Sequence, residues 1–315
     1  MLFRSNDQRG EYRLGFGLEE SGRVHEERDP LNPHTQLFPA GEDSFEGDKA
    51  FTVSVLEMPD APPQPWLAPR PGVAPGRMEH HRLRSEIMSN ERIISVYTPA
   101  GYQRDGEPYA LVVLFDRWVY VEVIATPTTL DNLIAAGAIQ PAVVVMVSHI
   151  NSEERWREMT CNPNFVEFLV QELIPWARRE YHVTAEAART VVGGMSAGGL
   201  TAAYAGLRHP EIFGRLLCQS GSFWWKPDDE VEWEWLNRQF AASPRLPLTF
   251  YLEAGLLEDG GPDGSDTSLL RATRRLRDIL LAKGYPVHYS EFNGAHVFVC
   301  WQGSIADGLM ALLGS

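Results

Sequence analysis

Cysteine is scarce. The 315 residues hold three, Cys161, Cys218 and Cys300. They lie far apart and form no C-x-x-C, which argues against a disulfide framework or a zinc site and leaves small buried core residues with reduced thiols. Long apolar runs are also missing: no stretch approaches the roughly 18 consecutive apolar residues that a membrane-spanning helix needs. The first thirty residues carry charges throughout (Arg4, Asp7, Arg9, Glu11, Arg13, Glu19, Glu20) and no apolar run, so no secretory signal is expected. Positive charge is in deficit, with 28 Lys and Arg against 42 Asp and Glu and a net charge of −14. General affinity for nucleic acid or for an anionic membrane is therefore not expected. There is no internal repeat. What remains is the composition of an ordinary globular protein, 44% hydrophobic and 22% charged, long enough for a substantial core and for one or two domains.

Three regions can be read along the chain. Residues 1–58 form a small β-rich module, in which Tyr12 to Phe16 and Phe51 to Leu56 alternate as strands do and Asp29-Pro30-Leu31-Asn32-Pro33 is turn chemistry. Residues 59–77 are a linker: seven prolines between Pro59 and Pro75 keep it extended and out of any helix or central strand. Residues 78–315 alternate strands and helices. Arg82 to Met88 and Arg92 to Thr98 read as a hairpin turning at Ser89-Asn90. Ala110 to Phe115 and Ala142 to Val147 are continuous apolar runs, the signature of strands buried on both faces. Helices are expected over Leu130 to Gly137, Phe165 to Tyr181, Ser268 to Lys283 and Ser304 to Leu313, and further strands at Leu216 to Cys218, Leu248 to Leu252 and Val287 to Phe292. This alternation predicts an α/β fold with a doubly wound, mostly parallel sheet.

The chemistry-bearing stretch is Arg189 to Gly199, RTVVGGMSAGG. Gly194-Met195-Ser196-Ala197-Gly198 is a G-x-S-x-G pattern between a predicted strand and a small-residue helix. That is the context of the nucleophile elbow of α/β-hydrolases, in which a strained turn lifts the serine hydroxyl out of the sheet. The amide of Ala197 then faces an oxyanion formed at Ser196, and Arg117 or Trp118, after an earlier strand, can supply the second backbone donor. Asp116 is read as ordering that loop. A serine needs a base, and the base an orienting acid, in the order Ser, acid, His. His296, after the last strand, is the base by order and context, since His209 ends the elbow helix and His288 lies within a strand. For the acid, Glu253 is still in a strand. Glu258 is placed to reach back to His296, and Asp259 and Asp263 are alternatives.

The same residues carry a family resemblance. Asp29-Pro30-Leu31-Asn32, Asn90-Glu91-Arg92, Tyr97 to Tyr102, Leu114-Phe115-Asp116, Arg155, Glu158, Cys161-Asn162, Gln171 to Pro175, Ala203 to Leu207, Phe213-Gly214, Gln219 to Trp225, Leu252 to Gly255 and His296 to Gly303 resemble the enterochelin (enterobactin) esterase family of siderophore hydrolases. The resemblance covers most of residues 78–315 and, faintly, the module before them. It implies a cytoplasmic serine esterase that opens the serine trilactone of a catecholate siderophore and releases its iron. It puts Ser196, Glu258 and His296 where the family has its serine, acid and histidine. No metal or cofactor is implied for the chemistry; iron arrives only as part of the substrate. Three features depart from the family pattern: a shorter N-terminal module, a longer loop after Glu258 in which Asp259 or Asp263 could replace it, and Gly294-Ala295-His296-Val297 in place of a Gly-Gly-His-Asp-like turn. A ferric tricatecholate is strongly anionic, so in a protein of net charge −14 arginines must gather at the pocket. Arg117, Arg155 and Arg157 are the candidates, with Trp224 and Trp225 as flat partners for catechol rings. Rival readings are a feruloyl- or acetyl-type esterase or an acyltransferase of the same mechanism, and a siderophore-binding module without turnover.

Overall fold

The computed structural model describes residues 7–18, 24–45, 49–260 and 267–314. Five short strands come first: β1 (Arg9–Tyr12), β2 (Leu14–Leu18), β3 (Val24–Glu27), β4 (Thr35–Phe38) and β5 (Phe51–Glu57). β5 pairs antiparallel with β1 and β4, and β2 pairs with β3 as a separate ribbon. The turn between β3 and β4 is held by its own polar side chains. Asp29 Oδ1 accepts the Leu31 amide at 2.9 Å, and Asn32 Nδ2 donates to the Val55 carbonyl at 2.8 Å.

The rest of the chain supplies β6 (Arg77–Ser85), β7 (Asn90–Thr98), β8 (Ala110–Phe115), α1 (Thr126–Ala135), β9 (Ala142–Val147), α2 (Ser152–Met159), α3 (Pro163–Phe168), α4 (Ile174–Glu180), β10 (Thr190–Met195), α5 (Ala197–Arg208), β11 (Arg215–Gln219), α6 (Trp235–Ala242), β12 (Thr249–Gly255), α7 (Leu269–Ala282), β13 (Val287–Phe292) and α8 (Phe298–Leu313). Eight of these strands form one sheet in the order β13-β12-β11-β10-β8-β9-β7-β6. It is parallel from β13 to β9 and antiparallel at β7 and β6. The expected α/β architecture with a small β-rich N-terminal module is therefore what the chain adopts.

The buried runs explain the sheet. Every residue of β8 and β9 is buried. Successive side chains point to opposite faces. Leu111, Val113 and Phe115 enter one core together with α3, α5 and α7; Ala110, Val112 and Leu114 enter the other, with α1, α8 and Phe38 of β4. Fully burying one such Val or Leu contributes roughly 1.5–3 kcal/mol relative to exposure.

Several boundaries differ from expectation. β6 runs to Ser85 and the hairpin turns over residues 86–89, with Ser89 at φ 52°. Ile87 and Met88 therefore lie in the turn. The helix expected over Phe165 to Tyr181 is α3 and α4 joined by a π-turn at Leu169–Leu173, which absorbs the missing amide of Pro175. α8 begins six residues earlier than expected, at Phe298. Gly303 hides its pattern, yet Trp301, Ile305, Leu309 and Leu312 all turn inward. α2 was not expected, because its sequence SEERWREM is too charged to display an apolar period; Asn151 caps it by accepting the Glu154 amide at 2.9 Å. The proline-rich stretch is fastened along its length. Asn132 on α1 donates to the carbonyls of Trp66 and Ala68, and Gln64 donates to the Val299 carbonyl. Among the described residues, no helix is long and apolar enough to cross a membrane.

Candidate active site

β10 lies between β8 and β11 and ends at the G-x-S-x-G turn. Ser196 sits at φ 57°, ψ −122°, a backbone region that side-chain-bearing residues rarely occupy. Two glycines permit it. A Cβ on Gly194 would lie 2.9 Å from the Gly198 backbone, and one on Gly199 would lie 3.0 Å from Gly221 Cα. The strained residue is pinned from both sides: its amide donates to the Gln219 carbonyl at 2.9 Å, and its carbonyl accepts the Ser222 amide at 3.0 Å. Ser196 Oγ lies 3.4 Å from Ser222 Oγ. Ala197 opens α5, so its amide stands at the positive end of that helix.

The acid and the histidine come from the ends of β12 and β13, which pair in parallel. The loops beyond them are laced together: the amides of Leu256 and Leu257 donate to the carbonyls of Phe292 and Gly294. Glu258 is thereby buried, 6% exposed. Its Oε2 accepts the Gly255 amide at 2.8 Å, and its Oε1 lies 2.8 Å from His296 Nδ1. A carboxylate at that nitrogen assigns the proton to Nδ1 and leaves Nε2 as an acceptor. Trp301 packs edge-on against the imidazole, with ring centroids 4.7 Å apart, and anchors itself by donating from Nε1 to Ser220 Oγ at 3.0 Å. Asp259 turns the other way, is exposed, and pairs with Ser268 and Arg271. Asp263 lies outside the described residues.

Glu253 is buried and serves a different network. Ser304 Oγ and Tyr251 Oη donate to it at 2.6 and 2.8 Å, and Gln219 also lies beside it. Burial pushes its carboxyl up to about 7 despite these bonds.

Ser196, Glu258 and His296 line one cavity of about 660 Å³, with Ser222, Trp156, Trp224, Leu257, Gly260, Leu269, Ala295 and Val297. Trp156 and Trp224 stack at 6.1 Å, and Trp233 packs on Trp224. The other expected binding residues are elsewhere. Arg117 is buried in a two-pronged pair with Asp43, at 2.5 and 2.7 Å, and borders a different depression beside Ile93 and Glu122. Arg155 points inward and grips Asp116 with two bonds of 2.6 Å. Burial would raise the Asp116 carboxyl, but this guanidinium outweighs it and holds the group well below the usual carboxylate range. Asp116, at φ 58°, thus orders the turn after β8, as expected. Arg157 is exposed and paired with Glu154. Trp225 is absent from the cavity wall and packs against Trp235. The reasons are geometric, and for Trp225 the competing partner is Trp235. A helix turns 100° per residue, so of Arg155, Trp156 and Arg157 only the tryptophan reaches the cavity, and the buried arginines are each claimed by a carboxylate. Trp156 and Ser222 were missed as wall residues. Their one signal was position, since each follows the C-terminal end of a strand.

The sequence profile of the esterase family matches residues 85–312. The chain is 32% identical over 289 residues to the iron(III) enterobactin esterase of Escherichia coli O6:H1, covering 90% of this chain and 66% of that protein. It spans about two thirds of the length of the curated relatives it matches. Among solved structures, the enterobactin esterase of Shigella flexneri, crystallised in the presence of enterobactin, matches with a TM-score of 0.75 and 32% identity over 91% of this chain and 69% of that one. A ferulic acid esterase of Anaeromyces mucronatus in complex with ferulic acid shares the fold, at a TM-score of 0.63 and 17% identity, over 82% of this chain and 97% of that one.

Proposed function

The chain belongs to the esterase family and has its α/β-hydrolase fold, and from that premise we propose that it is a serine esterase hydrolysing the trilactone esters of a catecholate siderophore. The observation that carries the reading is the Glu258–His296 hydrogen bond in the same cavity as a strained Ser196. Ser196 Oγ attacks the ester carbonyl while His296 Nε2 takes its proton. The oxyanion of the tetrahedral intermediate faces the Ala197 amide and that of Arg117 or Trp118. Collapse breaks the ester bond, and His296 returns the proton to the departing serine hydroxyl. A water molecule, activated by the same imidazole, then releases the acyl group from Ser196. Glu258 keeps the imidazole in its useful tautomer and stabilises the imidazolium. These steps use only side chains, backbone amides and water; where iron is present it is part of the substrate. A cytoplasmic site of action fits the three buried, unpaired cysteines.

A second reading, an aryl ester such as a feruloyl ester, is favoured by the indole wall of the cavity. Incubating the protein with iron-free enterobactin and separating the products decides between them. Linear trimer, dimer or monomer, absent with Ser196→Ala, is the expected result. Turnover of a feruloyl ester with an intact trilactone would move the assignment to the second reading.

A further inference from the structure

The cavity around Ser196 has a wall that its proposed substrate must match, and that wall carries no lysine or arginine among the described residues. Its side chains are Trp156, Trp224, Leu257, Leu269, Ala295 and Val297, together with the polar groups of the site itself. One of those, Glu258, is an acid. The basic residues on the bordering elements are committed elsewhere. On α2, Arg155 is held by Asp116 and Arg157 by Glu154. On α7, Arg271, Arg274, Arg275 and Arg277 pair with Asp259, Glu291, Glu234 and Asp278. Lys226 donates to the carbonyls of Pro227 and Glu230 beside Trp233. α8 contains no basic residue at all, and the whole chain carries −14.

This electrostatic setting separates two forms of one ligand. Three catechols bound to Fe(III) lose six protons, so the complex carries three negative charges. The iron-free trilactone keeps its phenolic protons near neutral pH, as phenols with pKa values near 10 do, and is uncharged. Transfer of a trianion into an apolar wall without a countercharge is costly, and the protein's own field opposes its approach. An uncharged catechol ring meets no such penalty and finds two stacked indoles to lie against. Resting on the trilactone reading above, we infer that this site acts on the uncharged, iron-free catecholate ester in preference to the ferric complex, and that Trp156 and Trp224 are its ring-binding wall.

The test compares kcat/KM for iron-free enterobactin and for its gallium(III) complex, which has the ferric charge without the redox chemistry, alongside 4-nitrophenyl butyrate. The iron-free form is expected to be cleaved at least about tenfold better, the ratio that a 1.4 kcal/mol difference in binding produces. The gap should narrow as salt is raised and in Leu257→Lys, which adds a cation to the wall. Trp156→Ala and Trp224→Ala should each raise KM for the trilactone about two- to tenfold, with Trp156→Phe recovering most of the loss. Equal or faster cleavage of the gallium complex would overturn the preference and leave the trilactone assignment standing. An unchanged KM in folded Trp variants that still turn over 4-nitrophenyl butyrate would overturn the wall. If neither trilactone form is cleaved while 4-nitrophenyl butyrate is, the preceding assignment has failed and this inference falls with it.

Discussion

At the scale of single residues, the site depends on side chains given two tasks each. Glu258 accepts the Gly255 amide with one oxygen and faces His296 Nδ1 with the other. The first contact fixes the carboxylate relative to β12, and the second fixes the ring relative to the carboxylate. Glu258→Gln keeps the shape but presents an amide that can donate to Nδ1, which favours the wrong tautomer. The expected outcome is a fall in kcat of roughly 10²- to 10⁴-fold on an aryl ester with little change in KM. Initial-rate measurements at several substrate concentrations check this; wild-type kcat in the variant would remove Glu258 from the machinery. The sequence reading chose Glu258 by chain order and kept Asp259 and Asp263, in the same acidic loop, as alternatives. Adjacent residues in a tight turn point in different directions, and only the lacing of that loop to residues 292–294 decides which carboxylate meets His296.

At the scale of elements, β11, β12 and α8 carry a polar network beneath the elbow. Tyr120 Oη donates to Gln219, Gln219 donates to the Trp301 carbonyl and to Ser304, and Ser304 and Tyr251 donate to Glu253. Burial pushes Glu253 up to about 7, and burial likewise pushes Glu11 up to about 7 against the pull of the Val299 and Phe298 amides. Both groups start from 4.5, so the folded state holds protons that the unfolded chain has released. Their contribution to stability is fully present below about pH 4.5 and is lost as pH rises through about 7. Stability in urea should therefore decline between about pH 5 and 8, and Glu253→Gln should flatten part of that decline. A wild-type pH slope in the variant would show that Glu253 is not the titrating group. Elements were the level at which the sequence was most legible where burial was complete. β8 and β9 are apolar throughout and appear where predicted. α2 was invisible because one of its faces is water and its inward residues include Arg155 and Glu158, which the core accepts only because Asp116 and Arg92 neutralise them.

At the scale of the whole molecule, the N-terminal module holds the loop that carries His296. The Arg9 amide donates to the Asn293 carbonyl, Arg9 bridges to Gly294, and Glu11 accepts the Val299 amide at 2.7 Å. Phe38 packs against Trp118 and Phe298 on the same side. Removing residues 1–58 strips these contacts from both sides of His296. A displacement of about 1 Å at a catalytic group can cost about 10²-fold in rate, so kcat on a simple ester should fall by at least about tenfold. The melting temperature should fall as well. A truncated protein with full kcat would show that the module only packs beside the site.

The sequence by itself determined the parts that depend on local pattern. Gly194 and Gly199 flank Ser196 in a turn that leaves no room for a Cβ at either glycine, the apolar runs require a sheet covered on both faces, and the order Ser196, Glu258, His296 is a property of the chain. Tertiary structure alone decided which charges are free. Arg117 meets Asp43 across 74 positions and Arg155 meets Asp116 across 39. No spacing rule links such pairs. An arginine expected at the pocket becomes a buried strut when folding brings a carboxylate to it, because an unpaired buried charge costs more than either partner can recover elsewhere. The cavity was left to tryptophan and leucine for that reason.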